Sequence, residues 1–133
     1  VRVLGIDLGR ARTGLALSDP VGVSCAPLDV VRERDEKRLI LKIAAVAAEE
    51  QVDEIVVGLP RPLGGGTNQQ MTEVLSFVGR LEAAATVPVR VWDERFTSKM
   101  AERVHSRAAK DAVAACYMLQ NYLDSRARDQ GGS

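Results

Sequence analysis

Three strand-like runs open the chain with almost nothing between them, and that spacing constrains the fold more than any other feature. Residues 3–8, 13–18 and 21–31 are the runs, punctuated by the turn-formers Gly9 and Gly14 and by the Asp19-Pro20 pair. A parallel crossover needs about a dozen residues or more, so connections this short force an antiparallel meander. The texture then turns helical. Residues 36–51 place Leu39, Ile40, Ile43, Ala44, Val46 and Ala47 at helical spacing, opposite Lys37, Lys42 and Glu49. Residues 54–59 (EIVVGL) read as a buried strand closed by Pro60. After the loop RPLGGG, Thr67 and Gln70 form a T-x-x-Q capping box, which predicts a helix over 67–84. A fifth strand spans 87–92, with Pro88 tolerable only at its start. Two helical stretches follow, at 97–105 and 109–126. The order is β-β-β-α-β-α-β-α-α, and helix-bearing crossovers make the later strands parallel to their neighbours. The expected fold is α/β, a mixed five-stranded sheet with three antiparallel strands, then parallel ones, and flanking helices.

At 133 residues this is one domain, over 1–128, with a polar tail at 129–133. Lys plus Arg (18) equals Asp plus Glu (18), which excludes a generally basic nucleic-acid binder but not a local basic face. No apolar run approaches the ~20 residues of a membrane span, and the charged-then-apolar layout of a signal peptide is missing. A soluble, cytoplasmic protein without membrane contact is expected. The two cysteines, Cys25 and Cys116, are far apart in apolar contexts and read as reduced thiols, neither a disulfide framework nor a zinc site.

Three carboxylates stand out by location. Asp7 ends an otherwise apolar first strand, where a carboxylate is costly unless paired or bound to a cation. Glu94 follows the fifth strand, and ligand sites of open sheets lie beyond the carboxyl ends of their strands. Asp111 opens the last helix and shares a helical face with Ala115, Met118 and Tyr122, so it points toward the sheet. If the last helix packs across these strands, the three converge, and such a cluster binds Mg²⁺ or Mn²⁺ through oxygen ligands. Each residue also has a plainer reading. Asp7 fits a hydrogen-bonded turn with residues 9–10, Asp111 a favourable charge at a helix N-terminus, and Glu94 a partner for Arg95 or Arg12. Asp93 competes with Glu94 on composition alone.

The segments G-I-D-L-G-R-A-R-T-G-L-A-L-S-D (5–19), I-V-V-G-L-P (55–60), D-E-R-F-T-S (93–98) and K-D-A-V-A-A-C-Y-M-L-Q-N-Y-L-D (110–124) resemble the YqgF family. That family comprises small bacterial proteins similar to Holliday junction resolvases, with the ribonuclease H-like fold. The resemblance runs through nearly the whole chain in order. It implies that Asp7, Glu94 and Asp111 are a metal-binding catalytic triad. The activity it implies is a metal-dependent nuclease processing the 5′ end of pre-16S ribosomal RNA, with resolution of four-way DNA junctions by a homodimer as the alternative. Between the D-E-R motif and Asp111 only residues 95–110 intervene, a stretch shorter than the Lys/Arg-rich one usual in the family.

With two metal ions activating water and steadying the leaving 3′ oxygen, no strong protein base is needed. The only histidine, His105, reads as a surface residue of a helical stretch. Arg10, Arg12, Arg61, Lys99, Arg107 and Lys110 are candidates to hold phosphates, and Thr97 to cap a helix whose N-terminus meets one. Gly64-Gly65-Gly66 lacks the Lys-Ser/Thr of a P-loop and reads as a loop feeding the Thr67 cap. The first motif is also similar to the first phosphate loop of actin-like and sugar-kinase ATPases, which close two such domains around ATP, whereas this chain has room for one. A non-catalytic module that binds structured RNA or a transcription complex is the remaining alternative.

Overall fold

The computed structural model describes residues 1–60, 66, 68–94 and 107–131, with residues 94, 107–110 and 129–131 as backbone only. Strands β1 (Val3–Asp7), β2 (Arg12–Ser18) and β3 (Cys25–Arg32) lead to helix α1 (Glu36–Glu49). Strand β4 (Glu54–Pro60), helix α2 (Gln69–Ala84), strand β5 (Val89–Glu94) and helix α3 (Arg107–Gly131) follow. The single sheet has five strands in the order β3-β2-β1-β4-β5. β1–β2 and β2–β3 pair antiparallel, whereas β1–β4 and β4–β5 pair parallel. The meander and the parallel pairs are those that the connection lengths dictate. The expected helix over 97–105 and the residues Arg61, Thr67, Thr97, Lys99 and His105 lie outside the described residues.

Strand alternation divides the core in two. Leu4, Ile6, Leu15, Ile55 and Val57 face α1 and α2, whose Leu39, Ile43, Val74, Phe77 and Leu81 complete the larger cluster. Val3, Ala16 and Val56 face the other way, onto Ala115, Met118, Leu119 and Leu123 of α3. β1 and β4 are therefore buried on both sides, which is why they read as continuous apolar runs.

Several boundaries move for identifiable reasons. β3 starts at Cys25 rather than residue 21, because Asp19 ties up the preceding turn. Its carboxylate accepts from the Val23 N–H at 2.8 Å and the Ser24 hydroxyl at 3.3 Å. α1 closes in a Schellman pattern, with Val52 N–H donating to the Ala47 carbonyl at 3.1 Å and Gln51 to Ala48 at 3.2 Å. That geometry puts Gln51 at φ 54°, a left-handed position. The N-cap of α2 is Asn68, not Thr67, and its side chain accepts from the Met71 N–H at 2.9 Å. Asn is at least as good a cap as Thr and needs only the next register. β5 runs from Val89, after Pro88, to Glu94. α3 starts at Arg107, two residues earlier than the helical pattern indicates, and continues through Gly131. Among the described residues no helix is long and apolar enough to cross a membrane.

Gly14 is a strand residue, not a turn-former. It lies within β2, paired to Asp7 on one side and Val30 on the other. A Cβ built on it would stand 2.0 Å from the Asp111 carbonyl oxygen, so α3 reaches the sheet only because this side chain is missing. Gly5 does the same on the neighbouring strand, where a Cβ would meet Leu119 Cβ at 2.9 Å. Gly14→Ala is expected to lower the unfolding free energy by about 1–3 kcal/mol, the ordinary cost of overpacking. Gly79→Ala on α2, where a Cβ meets nothing within 4 Å, is expected to raise it by about 0.5–1 kcal/mol. Urea unfolding midpoints of the two variants check both signs.

Candidate functional site

Asp7 and Glu94 are the last residues of β1 and β5, so both stand at the carboxyl ends of parallel strands. Side chains alternate along β1, with Leu4 and Ile6 in the α1/α2 core and Gly5 against Leu119 of α3. Asp7 therefore belongs to the α3 face. Its cross-strand partner is Gly14, and the backbone of Asp111 sits directly on Gly14. Gly14 thus neighbours both residues, Asp7 as its strand partner and Asp111 through the carbonyl resting on it, at the end of the sheet where ligands of open α/β folds bind. In β5 the register separates the two competing acids. Position 94 falls in the row of Arg90 and Trp92, and Trp92 packs in the α3 cluster. Asp93 falls in the row of Val89 and Val91, which pack against the opposite core.

Asp111 is half-buried on α3, and as the fifth helical residue it lies past the first turn instead of opening the helix. Its face continues through Ala115 and Met118, both fully buried, to Tyr122. The Asp111 Oδ2 is buried and has no hydrogen-bond partner among the described residues. The Arg12 Nε approaches it at 3.4 Å, an ion pair without hydrogen-bond alignment. Among the described residues, the carboxylate paired with Arg12 is that of Asp111. Carboxylate oxygens are hard donors of the kind that suits Mg²⁺ or Mn²⁺. Among the described residues no group of three His, Cys, Asp or Glu is placed to hold a metal, and the Glu94 side chain lies outside them.

The turn between β1 and β2 is drawn tight by the G-R-A-R-T-G segment. Gly9 has no room for a side chain, since a Cβ would stand 2.1 Å from the Arg12 carbonyl. The fully buried Thr13 hydroxyl spans the turn at 3.5 Å from both the N–H and the carbonyl of Gly9. This turn separates the two expected phosphate-binding arginines. Arg12 lies with Asp111, whereas Arg10 is exposed and lines a cleft of about 950 Å³ with Glu33, Arg34, Glu73 and Arg80. Two of the acids in that cleft are held by cations. Arg80 holds Glu36 through two hydrogen bonds, and Lys42 holds Glu33 at 2.9 Å. Arg107 and Lys110 are placed as backbone in the first turn of α3, next to Asp111 in sequence.

One buried charge escapes the sequence reading. Glu54 opens β4 and is 5% exposed. Its carboxylate accepts from the Tyr122 hydroxyl at 2.8 Å, Arg126 at 2.7 Å and Arg90 at 2.7 Å. Burial and the bond to Glu54 both push the Tyr122 hydroxyl up, which keeps it a donor. The three partners come from α3 and β5, so no local pattern around Glu54 announces them. This cluster lies at the opposite end of the sheet from Asp7 and anchors the far half of α3.

A family model described as "RuvX: Holliday junction resolvase" matches residues 1–125. A Clostridium kluyveri protein named "Putative pre-16S rRNA nuclease" is 35% identical over 133 residues, covering 93% of this chain and 97% of the relative. A Clostridium acetobutylicum protein of the same name is 36% identical over 134 residues, covering 94% and 99%. Among solved structures, Thermus thermophilus RuvC superposes with a TM-score of 0.61 at 16% identity over 96% of each chain. At that identity the likeness is one of fold, the ribonuclease H-like α/β architecture.

Replacing Arg12 by Gln removes the cation beside Asp111, which would compete with a metal bound there. Mn²⁺ binding, followed by isothermal titration, is expected to tighten about fivefold, the worth of a partly exposed ion pair. Unchanged affinity would mean that the guanidinium does not compete.

Proposed function

The chain belongs to the RuvX family, and from that premise we propose that it is a divalent-metal-dependent nuclease that hydrolyses phosphodiester bonds of RNA, trimming the 5′ end of pre-16S ribosomal RNA. The observation that carries the reading is that Asp7 and Asp111 both neighbour Gly14 at the strand ends, with a buried Asp111 oxygen lacking a hydrogen bond among the described residues. A buried carboxylate oxygen left under-satisfied costs stability, and a site that keeps one is poised for a cation. The choice of RNA rests on the names of relatives about 35% identical to this chain over nearly its whole length.

Asp7 and Asp111 would hold Mg²⁺ or Mn²⁺ through carboxylate oxygens, with Glu94 as the third ligand. The bound metal supplies Lewis-acid activation of water and charge neutralisation at the leaving 3′ oxygen. The protein's own contribution is positional. Gly14 and Gly5 seat α3 so that Asp111 stays at the strand ends, and Thr13 keeps the β1–β2 turn closed beneath Asp7. Arg12 neutralises Asp111 while the site is empty of substrate and is free to turn to a phosphate oxygen once a metal takes its place. Arg107 and Lys110, in the first turn of α3 before Asp111, would hold the flanking backbone, and Arg61, Thr97 and Lys99 remain phosphate-binding candidates by sequence. Such a processing step places the protein in the bacterial cytoplasm, as a single domain over 1–128.

The family description favours a second reading, symmetric cleavage of a four-way DNA junction, which requires a homodimer with two sites related by a two-fold axis. One assay separates the readings. Metal-stripped protein is offered a pre-16S-like RNA, a single-stranded RNA and a four-way DNA junction, with Mg²⁺ or Mn²⁺ restored. Cleavage of the first, abolished by chelator, is expected. Asp7→Asn is expected to cost several kcal/mol of transition-state stabilisation, about 10³-fold in rate. Junction cleavage alone would transfer the activity to DNA. Binding without cleavage of any substrate would make the domain a non-catalytic RNA-binding module.

A further inference from the structure

Cys25 opens the edge strand β3 and Cys116 lies on α3, yet their sulfurs stand 3.3 Å apart across a sequence separation of 91. Both are free thiols and both are half-buried, so a small oxidant reaches them while the surrounding packing fixes their geometry. Each sulfur also lies by the other's carbonyl, Cys25 Sγ at 3.2 Å from the Cys116 oxygen and Cys116 Sγ at 3.6 Å from the Cys25 oxygen. Gln120, one turn on from Cys116, braces the same junction. Its amide donates to the Val23 carbonyl at 2.9 Å, and its Oε1 lies 3.6 Å from the Cys25 sulfur. The strand start and the helix are held in register on both sides of the pair, and neither sulfur takes any part in the carboxylate site.

We infer that Cys25 and Cys116 form a redox-convertible pair, closed by hydrogen peroxide into an intrachain disulfide that staples α3 to the edge of the sheet. The two thiols share one proton in their mutual hydrogen bond. The bond from Cys25 lowers the Cys116 thiol below the ordinary range, and the same bond together with burial raises that of Cys25. Cys116 is therefore the attacking sulfur. As a thiolate it attacks one peroxide oxygen, the O–O bond breaks, and the departing hydroxide takes up a proton to leave as water. Cys116 is then a sulfenic acid. The Cys25 sulfur attacks it, the S–O bond breaks, and a second water leaves with the Cys25 proton. Two thiols are oxidised to one disulfide while the peroxide is reduced to two waters. The staple closes a loop spanning 91 positions and lies a little more than one helical turn beyond Asp111. It therefore restrains the unfolded chain strongly and holds the helix over Gly14.

The test treats the full chain with hydrogen peroxide, alkylates with iodoacetamide, and reads intact mass, peptide map and melting midpoint. A loss of two hydrogens is expected, with both cysteines protected, monomeric mobility on a non-reducing gel and full reversal by dithiothreitol. The melting midpoint is expected to rise by about 10 °C. In Cys25→Ser the intermediate has no resolving thiol, so dimedone is expected to trap a sulfenic acid at Cys116. Thiols that stay open to alkylation would overturn the inference. So would oxidation of Cys116 to a sulfinic acid with Cys25 untouched, or protection explained by covalent dimers.

Discussion

The distance between α3 and the sheet is set by two side chains that are not there. Gly5 on β1 and Gly14 on β2 let the helix backbone and Leu119 come down to where a methyl group would otherwise stand. Everything on that face depends on the approach. The small cluster of Val3, Ala16, Val56, Ala115, Met118 and Leu119 closes across this thin layer, and the Asp111 carbonyl rests on the strand residue that pairs with Asp7. The opposite face shows the usual alternative, in which two helices stand off on a thick layer of Leu, Ile, Val and Phe. A thick layer separates helix from strand ends, whereas a thin one brings a helical side chain to the tip of a strand.

Two acids on the α3 side of the sheet show what burial demands. Glu54 is almost wholly buried and has three donors, one neutral and two cationic, so its charge is compensated within the fold. Removing any one of these partners leaves the rest, which marks the cluster as an anchor. Asp111 is less buried, yet one of its oxygens has no hydrogen bond and a single arginine that is poorly aligned with it. A fold that satisfies one carboxylate three times and leaves another short is not limited by its supply of donors. The difference lies in position. Glu54 is at the start of a parallel strand, where nothing needs to bind, and Asp111 is at the end, where the sheet opens.

The meander, the parallel pairs and the two-sided burial of β1 and β4 were legible because they follow from connection length and apolar runs, which are local properties. Asp7 and Asp111 were legible for similar reasons, a carboxylate ending an apolar strand and another on an apolar helical face. What depends on the joining of distant segments was not. Gly14 reads as a turn-former until a helix from the far end of the chain is laid on it. Cys25 and Cys116 read as remote thiols because no pattern in either segment refers to the other. Glu54 hides in a strand motif whose arginine partners stand on other elements. Thr67 and Asn68 are adjacent residues with nearly equal capping power, and composition has no means of choosing between them.

The zero net charge follows the same logic of location. A cleft lined by Arg10, Arg34 and Arg80 also carries Glu33, Glu36 and Glu73, and its strongest pairs close on themselves. Such a surface offers little uncompensated field to a polyanion. At the strand ends, by contrast, Arg12 is paired among the described residues with Asp111, the acid assigned to the metal in the proposed function. Under the proposed function, a metal bound there would add positive charge and free a guanidinium, so attraction for phosphate would grow by more than the charge of the ion alone. A nearly neutral protein whose phosphate affinity depended on that metal would avoid non-specific adhesion to nucleic acid in the metal-free state.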